Sequence, residues 1–276
     1  MTTTDIQKNI IPYLGEAAPY IIIPENIIFR EHKIETEIKN WNFENENFSH
    51  LVKLLFSLGS LGLYKLLNDD SREKIYFLGE KVRIRKLSFK EPQAATITNE
   101  SILESDRKGK SYIHIRDSQS DELLYTGELD YYIVAQEAFE LFYKDLHTTV
   151  PVEYHDNNLP QSKIINTEVP HHFTISTEPF TPNQCKGHFE NYPIVPFAFI
   201  ANCILKEIFN FLNREISYEI ESLEGYASNA LPTGITFLTE VFHQKYLKNL
   251  IYFKCEIKDT SGNSYGALIF SIKSKK

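Results

Sequence analysis

Cysteine is scarce here: Cys185, Cys203 and Cys255 are the three in 276 residues. An odd number without metal-type spacing excludes a disulfide framework and makes a reducing, cytoplasmic setting the expectation. Basic charge is also short. Lys and Arg total 29 against 37 Asp and Glu, a formal net charge of -8. That balance counts against nucleic-acid binding through a basic surface and disfavours anionic membranes. No apolar run approaches the roughly 20 residues needed to span a bilayer. The run from Phe197 to Leu205 stops at Lys206 and Glu207. The opening Met1-Thr2-Thr3-Thr4-Asp5 lacks the basic-then-apolar order of a secretory signal. No Gly-rich phosphate loop occurs. What is abundant is aromatic: 19 Phe and 16 Tyr within an apolar fraction of 42% suit a soluble globular chain with an aromatic core. The length allows one large domain or two small ones.

The chain repeats its own order. In the second half His172 to Ser176 reads as a strand, followed by a loop and a helix from Phe197 to about Asn213. Pro196 suits the first turn of that helix, because its missing N–H costs nothing there. Apolar side chains cover nearly the whole circumference, which predicts burial. Ile251, Phe253, Cys255 and Ile257 then alternate with polar residues, Ser261-Gly262-Asn263 turns, and Tyr265 to Ile272 returns. In the first half Ile21 to Arg30 and Lys33 to Lys39 are strand-like, and Phe48 to Leu67 is an apolar helix. Ser111 to Arg116 alternates, Ser118-Gln119-Ser120 turns and Leu123 to Val134 returns. Phe43-Glu44-Asn45 echoes Phe189-Glu190-Asn191, Leu66-Leu67-Asn68 echoes Phe211-Leu212-Asn213, and Asp117-Ser118 echoes Asp259-Thr260. Two similar domains are the expectation: residues 1–147, a Pro/Asp/Asn-rich linker 148–162, and residues 163–276.

The segment richest in chemistry is Gly187-His188-Phe189-Glu190-Asn191-Tyr192-Pro193-Ile194-Val195-Pro196, leading straight into the apolar helix. A loop fixed by Gly and Pro beside a buried helix N-terminus aims an imidazole into an apolar cavity. Glu178-Pro179-Phe180 precedes it, and Ile10 to Leu14 with Pro19 to Ile23 opens the chain. In this order these segments resemble the E-P-[FY], G-H-F and P-[ILV]-x-P signature, and the leader helix and first strand, of the FabZ/FabA-type 3-hydroxyacyl-carrier-protein dehydratases. The resemblance covers most of the second half and, more faintly, the whole chain. Phe197 stands where that family has a glycine. Asn202 stands where it has its Glu or Asp, fourteen residues after the His.

The resemblance implies an α+β double hotdog: two antiparallel sheets, each wrapped round a long central helix, meeting face to face as a dimer fused into one chain. It implies removal of water from a 3-hydroxyacyl thioester carried by acyl carrier protein or coenzyme A. His188 would be the base, the Phe197 N–H the donor to the enolate oxygen, and Asn202 would orient the hydroxyl or a water. Gly187, Phe189, Pro193 and Val195 would line the substrate. Ser57 and Ser60, near the acid position in the first half's helix, would complete the site. No cofactor or metal is required by this chemistry. Two alternatives stand beside it. One is a silent hotdog that binds acyl chains or supports a hotdog partner subunit supplying the missing acid. The other is an acyl thioesterase. His50 reads as a remnant of a first-half counterpart to His188, or as a surface or helix-capping residue. Cys185 reads as part of an exposed loop rather than a nucleophile, and Cys203 as helix core. His171 and His172 point to opposite faces of a strand. Lys186 and Lys206 are either solvated or help dock an acidic carrier.

Overall fold

Alternation of apolar and polar side chains builds most of the molecule. In the computed structural model, which describes residues 3–43, 47–67, 73–166, 168–212, 216–247 and 249–274, twelve strands form one antiparallel sheet. The chain opens with α1 (Thr3–Asn9), a 3-10 turn at Ile11–Tyr13, β1 (Ile27–Arg30), β2 (Lys33–Lys39) and α2 (Phe48–Leu67). Next come β3 (Ile75–Lys86), β4 (Ala94–Ser105), β5 (Lys108–Asp117), β6 (Leu123–Ala135) and α3 (Gln136–Phe142). The second half is β7 (Ser162–Ile165), β8 (His172–Thr177), α4 (Phe197–Phe211), β9 (Tyr218–Ala227), β10 (Phe237–Leu247), β11 (Leu250–Asp259) and β12 (Ser264–Ser274). Along β11 the two-residue period puts Phe253, Cys255 and Ile257 in the core.

The strand order is β1-β2-β4-β5-β6-β3-β9-β12-β11-β10-β8-β7. Read inward from either end, each half has the same sequence of elements: a hairpin, the three strands after the first post-helix strand, then that strand itself. Asp117 and Asp259 hold equivalent hairpin turns, each carboxylate accepting two backbone N–H bonds, from Gln119 and Ser120 and from Ser261 and Asn263. The echo at these two positions is therefore an echo of turn geometry. Residues 44–46, 68–72 and 213–215 lie outside the described residues, and with them the echoes at Glu44-Asn45, Asn68 and Asn213.

Three expectations need correction. The halves do not form two separate sheets stacked face to face. β3 and β9 pair antiparallel from Lys81↔Tyr226 to Arg85↔Ser222, making one continuous sheet. Each strand would otherwise end its half with a row of unpaired N–H and C=O groups, and pairing satisfies both rows. Next, no strand begins at Pro19 or Ile21. Pro19 and Pro24 lack N–H groups, and the Ile21 N–H turns back to Ala17 O at 3.0 Å, so strand pairing starts at Ile27. Finally, by length and composition α2 is apolar enough to cross a bilayer, with a mean hydropathy of 1.3. Fourteen of its residues, from Phe48 to Leu63, are instead buried within this chain, where it lies on β4 and β5 and packs against α4. Small residues make the fit: a Cβ at Gly59 would fall 1.9 Å from the Tyr131 hydroxyl, which donates to Phe56 O.

At one end of the β3–β9 seam, Lys86 Nζ donates to Glu219 Oε2 at 2.8 Å, with both side chains buried.

Candidate active site

The His188 loop is shaped by its glycine. Gly187 has φ +85°, and its carbonyl accepts the Ala17 N–H at 2.6 Å. A Cβ there would lie 2.5 Å from Ala17 O. Gly187 thus serves twice, taking a left-handed turn and letting residues 15–18 lie against the loop. Gly187→Ala is expected to lower stability well beyond the roughly 1–2 kcal/mol of a left-handed alanine. Gly234→Ala is the control, since φ there is +81° with nothing within 4 Å. Chemical denaturation of the two variants separates the contact from the conformational cost.

The tethered segment delivers Glu16. His188 Nδ1 lies 3.0 Å from Ile194 O, so the carbonyl fixes the proton on Nδ1 and leaves the Nε2 lone pair free. Nε2 faces Glu16 Oε1 at 3.8 Å, and both side chains are buried. Phe189 stacks on the imidazole with ring centroids 3.9 Å apart, and Tyr20 tilts against it at 4.7 Å. Burial pushes His188 down to about 4. Burial pushes Glu16 up to about 8, against the opposing pull of the Lys53 ammonium. At neutral pH the pair therefore holds one proton, on Glu16, beside a neutral imidazole.

These shifts set a stability profile. Between the ordinary histidine value of 6.5 and about 4, the folded state holds fewer protons at His188 than the unfolded chain. Stability from the buried neutral imidazole is therefore lost as pH falls through that window, by up to about 3 kcal/mol. Glu16, raised to about 8, acts in the opposite sense over this range, so the check is a difference: from pH 7 to 4 the denaturant midpoint of the natural chain should fall relative to that of His188→Gln.

Glu16 and His188 open on a cavity of about 190 Å³ lined from both halves of the chain, by Phe56, Ser60, Phe77 and Val82 and by Val195 and Phe197. Phe197 is the first residue of α4, after Pro196 at the N-cap with φ -61°. Its ring lies along the sheet over Gly225 and Gly266, where a Cβ would come within 2.8 and 3.0 Å of it. A larger residue at either position would displace the ring.

Of the residues expected from sequence, His188, Phe189, Val195, Phe197 and Ser60 meet at this cavity. Gly187 and Pro193 hold the loop, the latter accepting the Thr233 N–H at 2.9 Å. Ser57 does not line the cavity. Its Oγ accepts the Ile22 N–H and donates to Lys53 O, both at 3.0 Å. Asn202 is elsewhere too. It shares a helical face with Phe199 and opens on a second cleft with His50 and Lys53, whereas Phe197, Ala198 and Ile200 face the His188 cavity. Cys185 is buried rather than exposed, and burial pushes its thiol up to about 12, which suppresses the thiolate. His171 rests against His243 and His172 against Phe242. The exposed Lys186 ammonium donates to Glu153 O at 2.9 Å.

Glu16 and Lys53 escaped the reading of the sequence. Each carried a faint signal. Glu16 is the one charged residue between Lys8 and Glu25, and Lys53 the one Asp, Glu, Lys or Arg between Glu46 and Lys65.

No protein-family model matches this sequence, and no curated protein matches it. Solved structures do. The 12:0-ACP thioesterase from Umbellularia californica matches 88% of this chain and 95% of its own, with a TM-score of 0.61 at 6% identity. The acyl-CoA thioesterase II TesB2 from Mycobacterium marinum matches 91% and 96%, with a TM-score of 0.54 at 9% identity. A protein from Alicyclobacillus acidocaldarius described as having the hot dog fold matches the same shares, with a TM-score of 0.52 at 9% identity. The chain has the hotdog fold. At such low identity the likeness is one of fold.

The dehydratase expectation is overturned. The two neighbours above whose names carry an activity are thioesterases, and the expected acid position, Asn202, does not share a cavity with His188. The Gly187–Pro196 motif describes how a loop enters a buried helix, a geometry that more than one chemistry can use.

Proposed function

We propose that this chain is an acyl thioesterase, hydrolysing acyl groups carried on acyl carrier protein or coenzyme A. It would be a double hotdog, with residues 1–147 and 163–276 as the two units and 148–162 joining them. The observation that carries the reading is the buried pair of Glu16 and His188, facing each other across 3.8 Å at an apolar cavity. Thioesterases among proteins of the same fold add support.

The one-proton pair suits hydrolysis. Water attacks the thioester carbonyl carbon while His188 Nε2 takes a proton from it. The carbonyl oxygen becomes an oxyanion, and the N–H groups of Phe197 and Ala198 that open α4 would donate to it. The tetrahedral intermediate collapses, the C–S bond breaks, and the Glu16 carboxyl gives its proton to the departing sulfur. A carboxylic acid and a thiol leave. The proton on Nε2 then returns to the Glu16 carboxylate, and the pair is restored.

The test uses acyl-coenzyme A thioesters of graded chain length and an acyl-loaded carrier protein, with thiol and free acid measured in parallel. Equal release of both, absent from folded His188→Ala, is the expected result. A folded protein that releases thiol from none of these substrates would overturn the proposal.

A further inference from the structure

The cleft that holds Asn202 has the makings of a separate binding site. It encloses about 160 Å³ between the N-terminal halves of α2 and α4, under residues 155–159. Its floor is the Lys53 side chain, only 9% exposed. The Lys53 ammonium donates to Pro19 O at 3.2 Å, its one hydrogen-bond acceptor among the described residues. Otherwise it meets ring faces, Tyr20 at 4.8 Å and Phe199 at 5.7 Å, with Glu16 attracting it at longer range. A buried ammonium with unspent donors is costly, and its desolvation is relieved by an anion.

The rest of the lining fits that occupant. The amide of Asn202, the Ser49 hydroxyl and the His50 and His155 imidazoles line the cleft. His155 Nδ1 is buried and has no hydrogen-bond partner among the described residues. The one acidic residue in the lining, Asp156, already turns Oδ1 to two Asn158 N–H groups at 2.9 and 2.8 Å. Leu159 and Phe199 are the two apolar side chains in its lining. Tyr20 and Phe199, edge to face at 5.7 Å, stand between this cleft and the His188 cavity.

We propose that the cleft is an anion site that binds a phosphate group, with Lys53 as the charged anchor and Asn202 and His155 as further polar partners. The phosphate comes either as the free ion or as part of a coenzyme A-like molecule. The proposal does not rest on the hydrolytic reading, and it is tested without turnover.

Isothermal titration calorimetry with inorganic phosphate and with coenzyme A distinguishes the two sources. Saturable binding of phosphate assigns the free ion. Binding of coenzyme A alone, weakened as below, assigns the tethered group. Lys53→Met should weaken binding at least tenfold, the scale of one hydrogen bond to a charged group. Asn202→Leu, which leaves the floor intact, should weaken it severalfold and serves alone if Lys53→Met does not fold. No saturable binding of either probe, or binding unchanged in the folded variants, would overturn the proposal.

Discussion

Glu16→Gln should lower kcat/KM for thioester hydrolysis by on the order of 10²–10⁴, the usual cost of losing a general acid. The variant is well matched. Burial holds Glu16 protonated up to about pH 8, so a neutral amide of similar size replaces a neutral carboxyl. Stability at pH 7 should therefore change little while activity falls. The pH profile gives the stronger check. The active form holds one proton, on Glu16, beside a neutral His188. Activity should fall as pH rises through about 8, where Glu16 loses its proton, and as pH drops through about 4, where His188 gains one. In Glu16→Gln the residual rate should lose its alkaline limb and keep its acidic one. A natural-chain rate that keeps climbing above pH 8 would assign the working form to ionised Glu16 and contradict the scheme.

The second large effect lies at the seam between the halves. Lys86→Met should destabilise the protein by about 3–5 kcal/mol, because it breaks a buried ion pair and takes the ammonium away from the buried Glu219 carboxylate. The pair it breaks is short, 2.8 Å, with side chains only 2% and 6% exposed. The Lys86 ammonium also lies over the Phe89 and Tyr125 rings, each at 5.7 Å, so the methionine stem inherits apolar surroundings. Lys86→Met combined with Glu219→Leu should recover most of the loss, since both charges of the buried pair are then gone. Along the same seam Arg83 pairs with Glu128 and Glu224, but these groups are 45%, 39% and 32% exposed. Arg83→Gln should cost no more than about 1 kcal/mol. Urea unfolding of the four proteins measures the contrast. A Lys86→Met protein as stable as Arg83→Gln would mean the buried pair contributes little to joining the halves.

The sequence was readable where local pattern decides. Alternation marked β5, β6, β11 and β12, because a half-buried strand must show period two. The apolar faces of α2 and α4 were legible for the corresponding reason. Pro196 fixed the start of α4 to within a residue. The shared hairpin chemistry of Asp117 and Asp259 exposed the internal repeat. Three things were not readable. Whether β3 and β9 join edge to edge depends on pairing between residues far apart in sequence, and neither strand carries a local sign of it. The fate of Ile21–Ile23 was hidden because β-branched residues favour strands, yet the flanking prolines turn the backbone away. The His188 partner was missed for the same long-range reason. Glu16 reaches the imidazole because Gly187 accepts the Ala17 N–H and leaves room for that backbone. Only the fold places residues 16 and 188 together. Asn202 was expected at the site because it stands fourteen residues after His188, where the resembled family carries its acid. Its position beside Phe199 directs it to the other cleft.

Hydrolysis of an acyl-coenzyme A in ¹⁸O-labelled water tests the central claim most directly. The His188–Glu16 scheme predicts one labelled oxygen in each carboxylate released, one thiol freed with it, and neither in His188→Ala. Recovery of the thioester intact and unlabelled from the folded natural chain, across acyl lengths and carriers, would contradict it.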